Sequence, residues 1–226
     1  MARIRTAMPL GYHLRIYRRE HLALPAGLWA LFALLVILMR GEAGRAFDIA
    51  DAFLGFVLPL LAGILAASAI VDDTALELQL AAPRAPWRIL LERLALLLGI
   101  VTLGALSYQL YLALMEVDLS VLGNPAARQL AWLLPSLALM GLSSVAALVS
   151  AEGTGGALAA GLVWLIQLLL RDWFLASPWA RYIFLFMAAR YPTSPYRVGN
   201  WLGLAALSIV LIIAASLLLR QEERYL

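Results

Sequence analysis

The chain has 226 residues, of which 64% are hydrophobic and only 14% are charged, and its net charge is +3. A soluble domain is typically about 45–50% apolar and about 25% charged, and a single core of this size could not bury so much apolar surface. Composition therefore excludes an ordinary soluble fold and a disordered chain, and it predicts an integral membrane protein. The absence of cysteine also excludes disulfides and thiolate metal sites.

The first patterned segment is Leu10–His21, where Leu10, Leu14, Tyr17 and His21 recur at helical spacing and three arginines fall at other positions. This pattern predicts an amphipathic helix at the membrane interface, with a plain basic flank as the alternative. The chain has only two histidines, His13 and His21, and we predict no metal site there. All 17 basic side chains are arginines, and these basic flanks on an apolar chain fit membrane lipid headgroups and not nucleic acid.

Six segments are apolar and long enough to cross a membrane, a crossing needing about 20 residues. They are read as helices because backbone groups in lipid must be satisfied internally. None of the six contains Asp, Glu or Arg, and small residues cluster in the second and the fifth, which favours close helix packing. The predicted spans are approximately Leu22–Met39, Ala52–Val71, Leu94–Met115, Gln129–Ala151, Gly153–Leu170 and Val198–Leu219.

An even number of spans places both termini on the same side of the membrane. That side carries ten of the seventeen arginines, five of them before the first span. Because basic residues are enriched in cytoplasmic flanks, we predict a multi-pass protein of the cell inner (plasma) membrane with both termini in the cytoplasm.

The linker between the second and third spans has the pattern of a short capped helix. Thr74 and Glu77 have the spacing of a capping box, and Pro83 ends the helix. Leu76 and Leu80 then lie on one face of about two helical turns. The sequence alone leaves open an ordinary capped connector and a docking helix.

Residues 73–94 resemble the corresponding linker of type-2 ABC transporter permeases, which reads acidic-Gly-Thr-Leu-Glu-x-Leu-Leu-x-x-Pro and then opens the third span. Here Asp73 stands where that family usually has Gly, and Arg93 stands near its usual basic residue. The resemblance implies that the linker is a cytoplasmic coupling helix, which docks onto a separate ATP-binding subunit. The docking residues it implies are Thr74, Leu76, Glu77, Leu80, Pro83 and Arg84.

The resemblance implies one transmembrane permease domain over residues 1–226, a half-size subunit that pairs with a second copy or a similar permease. A Walker A loop needs a lysine, and this chain has none. ATP and Mg are therefore expected on the partner subunit, with no cofactor in this chain. Within the transporter class, the haem exporter permease of cytochrome c maturation is the alternative.

The segment Arg171–Arg197, on the predicted outer side, holds eight of the chain's 22 aromatic residues. Arg181 in its middle would be costly in lipid, and Ser177-Pro178 would break a helix. We therefore predict an external re-entrant pair of short helices before the last span, as in type-2 ABC permeases. The alternative is an aromatic belt that anchors the outer helix ends.

The polar residues within the spans suit an apolar or amphiphilic cargo, or they simply bond neighbouring helices. Catalysis is not expected, because no His follows residue 21 and no nucleophile–base motif occurs. An ion-coupled transporter would need ionisable residues within the spans, and a non-transport scaffold would need no docking helix. The predicted cargo-path residues are Tyr108, Gln109, Tyr111, Gln167, Phe184 and Phe186.

Overall fold

The computed structural model describes residues 19–71 and 86–219, and all regular structure within these ranges is helical. Most of the predicted interfacial helix precedes residue 19. The predicted coupling helix, with all six docking residues from Thr74 to Arg84, falls in the gap between the two ranges. These two predictions therefore lie outside the described residues.

Nine α-helices are described, and a helix covers each of the six predicted spans. A π-helical turn, Phe53–Val57, joins α2 and α3 without a break, and single 3-10 turns occur at Ser120–Leu122 and Ala180–Ile183. The α-helices are α1 Arg19–Leu38, α2 Ala43–Ala52, α3 Leu58–Val71, α4 Pro86–Leu114, α5 Pro125–Ser150, α6 Gly153–Leu169, α7 Arg171–Ala176, α8 Met187–Arg190 and α9 Arg197–Leu218.

Four of the described helices are long and apolar enough to cross a membrane: Gly44–Ala69, Trp87–Leu114, Pro125–Ser150 and Arg197–Leu218. The apolar helices Ala23–Leu38 and Gly153–Leu169 are shorter. At 1.5 Å per residue they extend about 25 Å, against a hydrocarbon thickness of about 30 Å. The structure is thus that of a helical membrane protein, and six crossings remain a prediction.

The helix that contains the second predicted span begins before the apolar run that predicted it. The prediction started it at Ala52, whereas the helix starts at Ala43 and the apolar helix Gly44–Ala69 contains Asp48 and Asp51. Asp48 is exposed, but Asp51 is only 7% exposed. The helix that contains the second predicted span therefore carries two acids ahead of its apolar run, and one of them, Asp51, faces the protein interior.

Helix α5 lies at the centre of the bundle and packs against α3, α6 and α9. Small residues allow the close approach. A Cβ atom at Gly156 of α6 would lie 2.6 Å from the carbonyl oxygen of Ser143 on α5 and 2.8 Å from the Ala67 Cβ on α3. The packing role predicted for the small residues of the second and fifth spans is confirmed at this contact.

The cap segment, residues 171–196 between α6 and α9, has no helix longer than six residues. Helix α7 ends at Ala176, and Ser177 is extended before Pro178, which confirms the predicted break. No continuous helix spans 173–189. Re-entry of this segment into the membrane remains a prediction.

Side chains of the flanking helices satisfy the irregular backbone of the cap segment. Asn200 of α9 donates to the carbonyl oxygens of Arg181 and Phe184, both at 2.9 Å. Gln167 of α6 accepts from the Leu185 N–H at 2.8 Å. Because buried backbone groups need partners where no water reaches them, these two amides allow a non-helical segment to pack inside the protein.

Candidate functional site

The predicted cargo-path residues fall into two separate clusters. Tyr108 belongs to the cluster that α1, α3 and α4 share, whereas Phe184 and Phe186 belong to the cluster beneath the cap segment. The structure therefore brings Tyr108, Gln109 and Tyr111 together on one side and Gln167 with the two phenylalanines on the other. It does not line one continuous path with all six.

Gln109 joins two helices. It exchanges a pair of hydrogen bonds with Gln129 of α5, at 3.2 Å and 2.8 Å, and the Trp132 indole also donates to Gln129 at 2.9 Å. Of the two roles left open by the sequence, this contact favours bonding between helices.

The two tyrosines of α4 differ in their hydrogen bonding. The Tyr111 hydroxyl donates to the Ala33 carbonyl of α1 at 2.7 Å. Tyr108 is fully buried, with its ring centroid 4.3 Å from that of Phe53, and its hydroxyl finds no partner among the described residues. A buried hydroxyl without a hydrogen-bond partner is unusual in a packed protein interior.

A cavity of about 360 Å³ opens between α1, α3 and α4, beside this aromatic cluster. Its wall is apolar apart from Ser107, whose hydroxyl is bonded to the Gly104 carbonyl, and from the Trp29 indole, whose N–H is buried without a partner in the described chain. A cavity of this kind suits an apolar chain. Its lining is Pro25, Ala26, Trp29, Phe53, Leu58, Leu61, Leu65, Ile100, Val101, Leu103, Gly104 and Ser107.

The phenylalanines and tryptophans of the cap segment differ in their exposure. Phe184 and Phe186 are each 1% exposed, and Phe186 stacks on Phe56 with ring centroids 4.5 Å apart. Trp173 and Trp179 are 51% and 63% exposed. The phenylalanines therefore anchor the segment inside the protein, while the exposed tryptophans match the interfacial role predicted for the whole group.

The cap segment packs directly against the π-helical turn. A π turn frees a carbonyl from the regular pattern, and here the Trp164 indole of α6 donates to the Phe56 carbonyl at 3.0 Å. A Cβ atom at Gly55 would lie only 2.6 Å from the Ala189 Cβ. The glycine thus lets α8 rest directly on the turn.

Asp51, which lies just before the second predicted span, is one helical turn before Gly55. It lines a small cavity together with Gln109 of α4, Arg128 of α5 and Ala189 of α8. No hydrogen bond or close ion pair joins Asp51 to another described residue, and the buried Arg128 Nε likewise has no hydrogen-bond partner among them. The available sequence signal was the pair of acids three residues apart at the start of an apolar run.

The loop between α4 and α5 is ordered by its own residues. The Asp118 carboxylate accepts from the Ser120 N–H at 2.7 Å and from the Ser120 hydroxyl at 2.8 Å. Both hydrogen bonds lower the pKa of Asp118 below its usual value, and the bond from the backbone N–H has the larger effect. The arrangement is that of a local turn and holds no group of three metal ligands within the described residues.

Comparison with family models, with curated proteins and with solved structures finds no match to this chain. The resemblance to type-2 ABC permeases therefore rests on the sequence alone.

Proposed function

We propose that the chain is the transmembrane subunit of an ATP-driven ABC exporter that moves an apolar or amphiphilic cargo. The observation that carries the proposal is the linker 73–94, with its capping box, apolar pair and following proline. The apolar cavity beside Trp29 supports the choice of cargo class. Hydrolysis, with ATP and Mg, belongs to a separate subunit, and a second copy or a similar permease completes the pathway. The haem exporter permease remains the alternative within this class.

The proposal includes six crossings and cytoplasmic termini. The cysteine-free chain allows single cysteines to test this with an impermeant thiol reagent on intact cells. Val121 and Glu152 are both exposed and flank opposite ends of α5. We expect labelling at position 121 and none at position 152, and the reverse result would invert the orientation.

The docking proposal is tested on the apolar pair of the linker. We expect Leu80→Asp to abolish copurification of an ATP-hydrolysing subunit with the tagged chain, because a charge buried at a helix–groove contact is not compensated. Leu78→Asp is the matched control, since position 78 falls on the opposite face of the predicted helix. If ATPase activity copurifies equally with both variants, the linker is an ordinary connector and not a docking helix.

Asp51 supports a second candidate function, an ion-coupled transporter, because buried acids within spans commonly serve ion pathways. In proteoliposomes, an imposed proton or sodium gradient would then drive uptake of a fluorescent amphiphile without ATP. Asp51→Asn would abolish that uptake, and Asp48→Asn, an exposed acid on the same helix, would not. Transport that needs ATP and ignores the gradient would leave only the ABC proposal.

A further inference from the structure

Asp51 is the one buried acidic side chain among the described residues. The other buried charge, Arg93, donates to the Ala69 carbonyl. Asp51 has no such partner, and it lies within an apolar helix long enough to span a membrane. An unpaired carboxylate in such a place is costly, so conformations that pair it are favoured.

The charged groups around Asp51 come from three elements. Asp48 lies on the same helix and is a like charge exposed to the surface. Arg128 of α5 lines the same cavity, and Arg190 of α8 interacts with Asp51 electrostatically. Gln109 of α4 also faces the cavity, but its amide is already bonded to Gln129.

Arg190 is the better placed partner for a movable contact. It is exposed, and its guanidinium lies over the Phe56 ring at 5.0 Å. Its neighbour Ala189 contacts the turn at Gly55, one helical turn after Asp51. The guanidinium that lies over Phe56 is also the positive charge that acts on Asp51 in this structure.

We propose that Asp51 and Arg190 form a latch that holds the cap segment on the π-helical turn. When Arg190 pairs with Asp51, α8 is fixed against the turn and this end of the bundle is closed. When Arg190 stacks on Phe56, as in this structure, the segment is held without an ion pair, by its apolar contacts and by the hydrogen bonds from Asn200 and Gln167. The latch needs neither an ATP-binding partner nor a transported ion, so its failure would leave both proposed functions standing.

The test measures opening of the cap segment with a buried cysteine. Ala189 is 8% exposed, so Ala189→Cys in the purified full chain in detergent reacts with a water-soluble maleimide only when the segment opens. We expect Asp51→Asn and Arg190→Gln each to speed labelling about tenfold, because a hydrogen bond to a charged group is lost. Arg190→Lys, which keeps the charge, should stay close to the wild-type rate.

Asp48→Asn is the matched control and should leave the rate unchanged, because Asp48 is exposed. Since Ala189 packs closely on Gly55, Ala188→Cys, at a residue 6% exposed, provides a second reporter if the first disturbs the fold. Thermal unfolding in the same detergent confirms that each variant is folded. Equal rates in the wild type, Asp51→Asn and Arg190→Gln would overturn the latch, as would an equal acceleration by Asp48→Asn.

Discussion

The helix bundle and the cap segment are held together by different forces. In the bundle, each helix satisfies its own backbone and packs through small residues, as at Gly156 between α3 and α5. In the cap segment the backbone is irregular, and side chains of other helices satisfy it, Asn200 and Gln167 above all. A contact in the bundle is therefore spread over many atoms, whereas the cap segment depends on a few polar side chains. Single substitutions should therefore affect the stability of one region more than that of the other.

The largest effect is expected from Asn200→Leu, which removes the donor for two carbonyl groups of the cap segment. Leaving them unsatisfied should cost about 2–4 kcal/mol and lower the unfolding temperature in detergent. Ser208→Ala is the control on the same helix, because its buried hydroxyl bonds only within α9, to the Leu204 carbonyl. Equal losses from both variants would show that the cap segment does not depend on Asn200.

A smaller loss is expected from Gly156→Ala in the bundle. The added Cβ would lie 2.6 Å from the Ser143 carbonyl oxygen, which is backbone and can give way only by moving α6 from α5. Overpacking of this kind costs about 1–3 kcal/mol. Gly161→Ala is the matched control on α6, since no atom of a neighbouring helix lies within 4 Å of its Cβ position. It should be neutral or stabilising, as expected for alanine in a helix.

Trp164→Phe tests the junction between the two regions. It keeps an aromatic ring beside Phe186 but removes the N–H that bonds the Phe56 carbonyl, at an expected cost of about 1–2 kcal/mol. Hydrogen exchange should rise in the π-helical turn and α8 and remain unchanged at the α3–α5 contact. Exchange that rises equally in both places would mean that the turn is not a separate junction.

The regular part of this fold follows from the sequence, because long apolar runs must form helices in lipid. The break at Ser177-Pro178 followed from proline geometry. The burial of Asp51 does not follow from the sequence, because a charge beside an apolar run normally marks the end of a span and the buried face of a helix depends on its neighbours. The π-helical turn has no signature in the sequence, and the close contact beside it joins Gly55 and Ala189, which are 134 positions apart.

Asn200 shows a second limit of the sequence. It lies within the predicted sixth span, yet it was not selected among the polar residues of the spans. Its importance comes from two carbonyl groups that only an irregular segment exposes. Gln167 was selected for a cargo path, and the structure places it against the same segment, where its amide bonds backbone. Residue type and depth were predictable, but the partner of each amide was not.

The smallest effect is expected in the loop between α4 and α5, which, unlike the cap segment, is ordered by its own side chains. Because the bonds from Ser120 lower the pKa of Asp118 in the folded chain, the order they provide is fully present above the usual carboxyl pKa. It is lost as pH falls through the lowered value. In micelles, the Ser120 amide resonance should titrate with a midpoint below 3.8, the ordinary value. Ser120→Ala keeps the backbone bond, so its midpoint should move only part of the way back. A wild-type midpoint at or above the ordinary value would show that this loop, like the cap segment, needs contacts from elsewhere.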